Sequence, residues 1–130
     1  MEHEEYMRQA LELARLAMAE GEVPVGCVIV RDGAVVGRGR NRRETAQTAL
    51  GHAELEAIAQ ACRTLGGWRL AGCALYVTLE PCPMCAGAII NARIPRVVFG
   101  APDPKAGSCG SVTDLFALPF NHHPVVERGL

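Results

Sequence analysis

The sequence contains no apolar run approaching the roughly 20 residues needed to span a bilayer. Its first residues, Met1-Glu2-His3-Glu4-Glu5, are acidic, where a secretory or mitochondrial leader would be basic. The expectation is a cytoplasmic protein with no membrane partner. Net charge is nearly absent too: 13 Lys and Arg against 14 Asp and Glu leave −1. That excludes the strongly basic overall field by which many nucleic-acid-binding domains announce themselves. Lysine is almost missing, since Lys105 stands alone and every other basic residue is Arg, the side chain that grips phosphate bidentately and stacks on bases. There is no internal repeat, low-complexity tract or second domain.

What is present suits one globular domain, expected to span residues 1–130. With 130 residues, 49% of them hydrophobic and 21% charged, the chain can bury a core without disulfide or metal staples. Its 6 cysteines therefore need not form a disulfide framework. Cys27, Cys62 and Cys73 read as small buried hydrophobes. Cys109, between Gly107-Ser108 and Gly110-Ser111, has no assigned role, and only Cys82 and Cys85 have the spacing of ligands. Arg38, Arg40, Arg42 and Arg43 crowd one short segment, which reads either as a solvated loop or as a phosphate contact.

Periodicity sets the elements. Met7, Ala10, Leu11, Ala14, Ala17 and Met18 predict a helix over 4–20 with one buried face, ended by Gly21. Cys27–Val30 and Ala34–Gly37 flank Asp32-Gly33, a two-residue hairpin signal. A polar loop from Asn41 to Gly51 leads into a second helix, His52 to about Leu65, with Leu55, Ile58, Ala59 and Cys62 on its inner face. A buried strand is expected over Ala74–Thr78, a third helix from Pro83 to about Ala92 over Met84, Ala88, Ile89 and Ala92, and a fourth strand over Arg96–Gly100. A helical turn at Asp114–Leu118 and an edge strand at Val125-Val126 complete the chain. A hairpin followed by right-handed crossovers implies a mixed central sheet with helices on both faces, a three-layer α/β/α domain. In such sheets the ligand site lies beyond the carboxyl ends of the parallel strands.

The chemistry concentrates there. Leu75-Tyr76-Val77-Thr78-Leu79 runs through Glu80-Pro81 into Cys82-Pro83-Met84-Cys85, a Cys-x-x-Cys opening a helix. Unsatisfied N–H groups and the helix dipole favour thiolates at such a position. Alone, this motif fits a thioredoxin-like redox pair or a metal site. His52-Ala53-Glu54 favours metal: one His and two thiolates are a catalytic zinc set with a position open for water, whereas a structural site would need a fourth protein ligand. His52 and Glu54 are two apart and could not face one point from mid-helix, but can from a first turn. His-x-Glu followed by Pro-Cys-x-x-Cys is the signature of zinc nucleobase deaminases, in which the Glu shuttles protons and does not bind the metal.

Nearly the whole chain, from about Tyr6 to Gly129, resembles the bacterial tRNA-specific adenosine deaminases. The likeness rests on Pro24-Val25-Gly26, Gly39-Arg40-Asn41-Arg42, His52-Ala53-Glu54, the run Leu75–Gly87, Arg96–Ala101, Asp103-Pro104-Lys105 with Gly107, and Phe120-Asn121-His122. The resemblance implies a cytidine-deaminase-like fold, a homodimer, and conversion of the wobble adenosine of a tRNA anticodon stem-loop to inosine. It implies zinc on His52, Cys82 and Cys85, proton transfer by Glu54, a base contact from Asn41, and contacts to neighbouring nucleotides from Asp103, Lys105 and Asn121. It also raises the arginine cluster toward a phosphate contact. The family usually continues past the position of Leu130 into a further helix, which the domain is expected to lack, and Ala49-Leu50-Gly51 stands where more polar residues are common. A free guanine or cytosine deaminase of the same superfamily is the alternative.

Overall fold

The computed structural model describes residues 2–130. Helix α1 (Glu2–Ala19) opens on Glu2, Glu4 and Glu5, which suit the positive end of its dipole. Strands β1 (Gly26–Arg31) and β2 (Ala34–Arg40) pair antiparallel. Their turn is Asp32-Gly33, with φ 51° and 78°, the left-handed pair that a tight hairpin demands. Helix α2 (Ala53–Leu65), β3 (Cys73–Leu79), α3 (Pro83–Ala92) and β4 (Arg96–Ala101) follow, then a single 3₁₀ turn over Leu115–Ala117 and the edge strand β5 (Val125–Arg128).

The sheet order is β2-β1-β3-β4-β5, with β1 antiparallel to both neighbours and β3, β4 and β5 mutually parallel. Alternation along the strands divides the side chains between two faces. Val28, Val30, Tyr76 and Val98 meet α1. Cys27, Ile29, Leu75, Val77, Val97 and Phe99 meet the layer of α2 and α3. The expected three-layer α/β/α domain with a mixed sheet is found, and all six cysteines are free thiols.

The helices bury narrower and smaller faces than their periodicity suggests. On α1 the buried stripe is Met7, Ala10, Ala14 and Ala17. Leu11 and Met18, expected inside, are 43% and 59% exposed. On α2 the stripe is Ala53, Ala57 and Ala61, while Ile58, Leu55 and Cys62 are half-buried and Ala59 is exposed. On α3, Cys85, Ala86, Ile89, Ile90 and Ala92 are buried, with Met84 and Ala88 half-buried. The cause is backbone approach. A Cβ on Gly26 would lie 1.9 Å from the Ala10 carbonyl oxygen, and one on Gly39 would lie 2.1 Å from that of Ala53. Glycine on the strand and alanine on the helix let the backbones nearly touch, so larger apolar residues are pushed to the margins.

Candidate active site

Two helix N-termini converge beyond the carboxyl end of β3. His52 caps α2 with extended backbone (φ −96°, ψ 148°), and Cys82 caps α3 in the same manner (φ −78°, ψ 175°). Because a capping residue stands outside the helical spiral, His52 escapes the angular conflict with Glu54, which sits in the first turn. Pro83 takes the first helical position, where its missing N–H costs nothing. Cys85 follows within the first turn and is fully buried.

His52 Nδ1 lies 3.6 Å from Cys82 Sγ and 3.5 Å from Cys85 Sγ. Tetrahedral zinc with nitrogen at about 2.05 Å and sulfur at about 2.3 Å requires an N···S separation of about 3.6 Å. The three donors are therefore already spaced for one ion. Among the described residues, they are the group of His, Cys, Asp and Glu whose ligand atoms gather closely enough to hold a metal.

The electrostatics are those of a site built for a cation. The Cys82 thiol is lowered to about 5, first by a hydrogen bond from Cys85, against the effect of burial, and further by the N–H groups of Cys85 and Met84 and by His52. Cys85 is raised, by that same hydrogen bond to Cys82 and by burial beside Glu54, so the pair retains one proton that a metal would displace. Glu54 is 4% exposed. Burial raises its carboxyl to about 7, with the Cys82 charge adding to the effect and the backbone N–H and Cys85 hydrogen bonds opposing it.

These groups border a cavity of about 230 Å³ lined by Val23, Val25, Asn41, Arg43, His52, Ala53, Glu54, Leu79, Glu80, Cys82, Asp103 and Ala106. Asn41 is buried, with its Oδ1 accepting from Arg43 N at 3.0 Å. Asp103 Oδ1 accepts from Lys105 N at 3.0 Å, shaping its own turn. Asn41 and Asp103 thus line the same cavity as His52, Cys82 and Glu54. Lys105 and Asn121 are exposed and do not line the cavity. The arginine cluster divides: Arg40 pairs with Glu20 at 2.8 Å and Arg42 with Glu56 at 3.1 Å, while Arg43 borders the cavity and Arg38 is exposed.

Two buried carboxylates escaped the sequence reading. Glu22 accepts from the backbone N–H of Glu44 and Thr45, at 3.1 and 2.6 Å, and pins the loop that carries Asn41. Glu80 accepts from the N–H groups of Asp103, Cys109 and Ser111 and from the Ser111 hydroxyl. The available signal at Glu80 was a lone charge between an apolar strand and a proline, since carboxylates are rarely buried without dedicated partners.

An α/β/α domain with a His/Cys/Cys group and a buried Glu at the mouth of its parallel strands defines a hydrolytic deaminase of cytidine-deaminase-like fold. The model of the MafB19-like deaminase family matches residues 1–125. The tRNA-specific adenosine deaminase of Bacillus subtilis is 49% identical over 126 residues, 96% of this chain and 78% of its own length. A solved tRNA:A34 deaminase, 47% identical, superposes with a TM-score of 0.94 over 99% of this chain and 100% of its own. The guanine deaminase of Bacillus subtilis, 37% identical, gives a TM-score of 0.78 over 97% of this chain and 83% of its own. The chain belongs to the tRNA-specific adenosine deaminase family.

Proposed function

We propose that this single domain hydrolyses the wobble adenosine of a tRNA anticodon stem-loop to inosine and ammonia, with zinc held by His52, Cys82 and Cys85. The observation that carries the reading is the spacing of those three donors beside buried Glu54, in a chain 49% identical to a tRNA-specific adenosine deaminase. Bound zinc supplies a Lewis acid that brings a water's pKa toward about 7.

The protein's own groups handle base and protons. The unpaired base enters the cavity, and Asn41 hydrogen-bonds it and fixes its orientation. Glu54, with its carboxyl near 7, is matched to both halves of the transfer. It takes one proton from the attacking water and gives it to the ring nitrogen N1, leaving a tetrahedral carbon that bears hydroxyl and amino groups. It then carries the hydroxyl proton to the amino group, and ammonia leaves as the ring carbonyl forms. Asp103 at the cavity rim, with Lys105 and Asn121 further out, contacts neighbouring nucleotides, and Arg38 and Arg43 meet phosphate. Within the same proposal the enzyme works as a homodimer in the cytoplasm, where tRNA is found. Among the described residues no helix is long and apolar enough to cross a membrane.

A second reading, deamination of a free base, is favoured by the likeness to guanine deaminase. The test is to give purified zinc-loaded enzyme an anticodon stem-loop with adenosine at the wobble position and, separately, free guanine and cytosine. Inosine in the stem-loop supports the first reading. Turnover of a free base with an unchanged stem-loop replaces it with the second.

A further inference from the structure

Glu80 is 2% exposed and lies two residues before Cys82, yet among the described residues it joins no group able to hold a metal. Its side chain is spent on one object, the loop from Asp103 to Ser111. Oε1 accepts from Asp103 N at 3.1 Å and from the Ser111 hydroxyl. Oε2 accepts from Cys109 N at 2.9 Å and from Ser111 N at 3.1 Å. The backbone closes the same seam, with Glu80 N donating to Ala101 O and Ser108 N to Pro81 O, both at 2.9 Å. The loop fits so closely that a Cβ on Gly107 would lie 2.4 Å from Glu80 Cδ and 2.5 Å from Asp103 O.

A buried carboxylate saturated by donors from a single loop is a fastener, and four charge-assisted hydrogen bonds make a strong one. What it fastens is the part of the loop bordering the cavity, since Asp103 and Ala106 line the same space as Asn41 and Glu54. Arg128 grips the far side, its Nη2 donating to Cys109 O at 3.0 Å while the guanidinium packs 5.6 Å from the Phe99 ring. The loop is therefore held from the β3–α3 connection within and from β5 behind.

We infer that Glu80 is a positioning residue for substrate specificity: its carboxylate sets the Asp103–Ser111 loop so that Asp103 meets the nucleotide beside the reacting base. The inference rests on the RNA reading of the site. Glu80 borders the cavity, but both its carboxylate oxygens are taken up by the loop, so it acts through Asp103. Gln at position 80 keeps the shape but turns one acceptor into a donor facing N–H groups, so it loosens the loop without opening a void.

Two measurements test this on the zinc-loaded enzyme. Hydrogen exchange at the Asp103, Cys109 and Ser111 amides reads the fastening without needing any activity. Glu80→Gln should speed their exchange about tenfold or more, with Ser111→Ala giving a smaller change in the same direction. Unchanged exchange in Glu80→Gln overturns the inference. Steady-state kinetics on the stem-loop then read specificity. Glu80→Gln should raise KM about tenfold, with kcat within about twofold and zinc content unchanged. In an Asp103→Ala background it should add little, because the two changes share one path. A kcat loss at constant KM, loss of zinc, or full additivity with Asp103→Ala overturns it. Gly107→Ala, which strikes the carboxylate from the loop side, should reproduce the KM effect. If wild type makes no inosine in the stem-loop, the RNA reading fails and the specificity role fails with it, and the exchange data judge the fastening alone.

Discussion

Gly39→Ala offers the sharpest test of how the fold builds the site. A Cβ there would stand 2.1 Å from the Ala53 carbonyl oxygen, 2.8 Å from Ala57 N and 2.9 Å from Glu56 Cβ. Two of these three atoms are backbone, so no rotamer change relieves the overlap. A carbon and an oxygen need roughly 3.2 Å or more, so the N-terminal half of α2 must lift from the sheet by about 1 Å. That end of α2 carries His52 and Glu54, whereas Cys82 and Cys85 ride on α3. His52 Nδ1 now stands 3.6 and 3.5 Å from the two sulfurs, and metal sites tolerate about 0.2 Å in each bond. A lift of this size spoils the geometry even where the helix stays folded. Overpacking of this kind costs about 1–3 kcal/mol, lowering Tm by several degrees in a domain of this size. Zinc affinity should fall at least about tenfold, the scale associated with disturbing the support of a metal ligand. Competition with a chelator of known affinity, alongside calorimetry, measures both. Gly67→Ala is the control, because a Cβ there meets nothing within 4 Å. Wild-type zinc affinity and Tm in Gly39→Ala, or equal damage from Gly67→Ala, would refute the reasoning.

Glu54→Gln should retain zinc while losing about 10²- to 10⁴-fold in kcat on the stem-loop, since it removes proton transfer but no ligand; retained activity or lost metal would contradict the assigned role. Glu22, whose carboxyl is subject to burial but held below its usual range by the N–H groups of Thr45 and Glu44, favours folding when ionised. Its contribution is full above the unfolded value of 4.5 and is lost as pH falls through the lower folded value. Denaturation of Glu22→Gln against pH should accordingly show a gentler loss of stability on the acid side than wild type. Leu11→Gln and Met18→Gln, at exposed positions on α1, should change stability by no more than about 0.5 kcal/mol, whereas Ala14→Leu on the buried stripe should cost about 1–3 kcal/mol by chemical denaturation.

Much of this was legible in the one-dimensional chain because local physics decides it. Asp32-Gly33 could hardly be anything other than a tight turn, Pro83 could only open a helix, and the Cys-x-x-Cys behind an apolar strand had to stand at a helix N-terminus. The element order followed, and with it the three layers. The gathering of His52, Cys82 and Cys85 into one group that could hold a metal was readable because metal chemistry restricts residue types more tightly than packing does.

Residue spacing alone could not say which faces would be buried. Hydrophobic periodicity weighs Leu, Met and Ala alike, but the distance between helix and sheet is set jointly by both partners. Gly26, Gly37 and Gly39 brought α1 and α2 so close that only alanine fits at the points facing them, Ala10 and Ala14 on α1 and Ala53, Ala57 and Ala61 on α2, leaving Leu11, Met18 and Leu55 at the margins. Nor could the sequence pair Glu80 with a loop more than twenty residues onward, or Glu22 with the loop before α2, because those bonds exist only once the strands have placed distant backbone N–H groups around a carboxylate. The sequence by itself determined the elements, their order and the His/Cys/Cys group that could hold a metal. The tertiary structure alone decided how close the layers stand and which buried charges hold the loops around the cavity, because both depend on contacts between segments far apart in the chain.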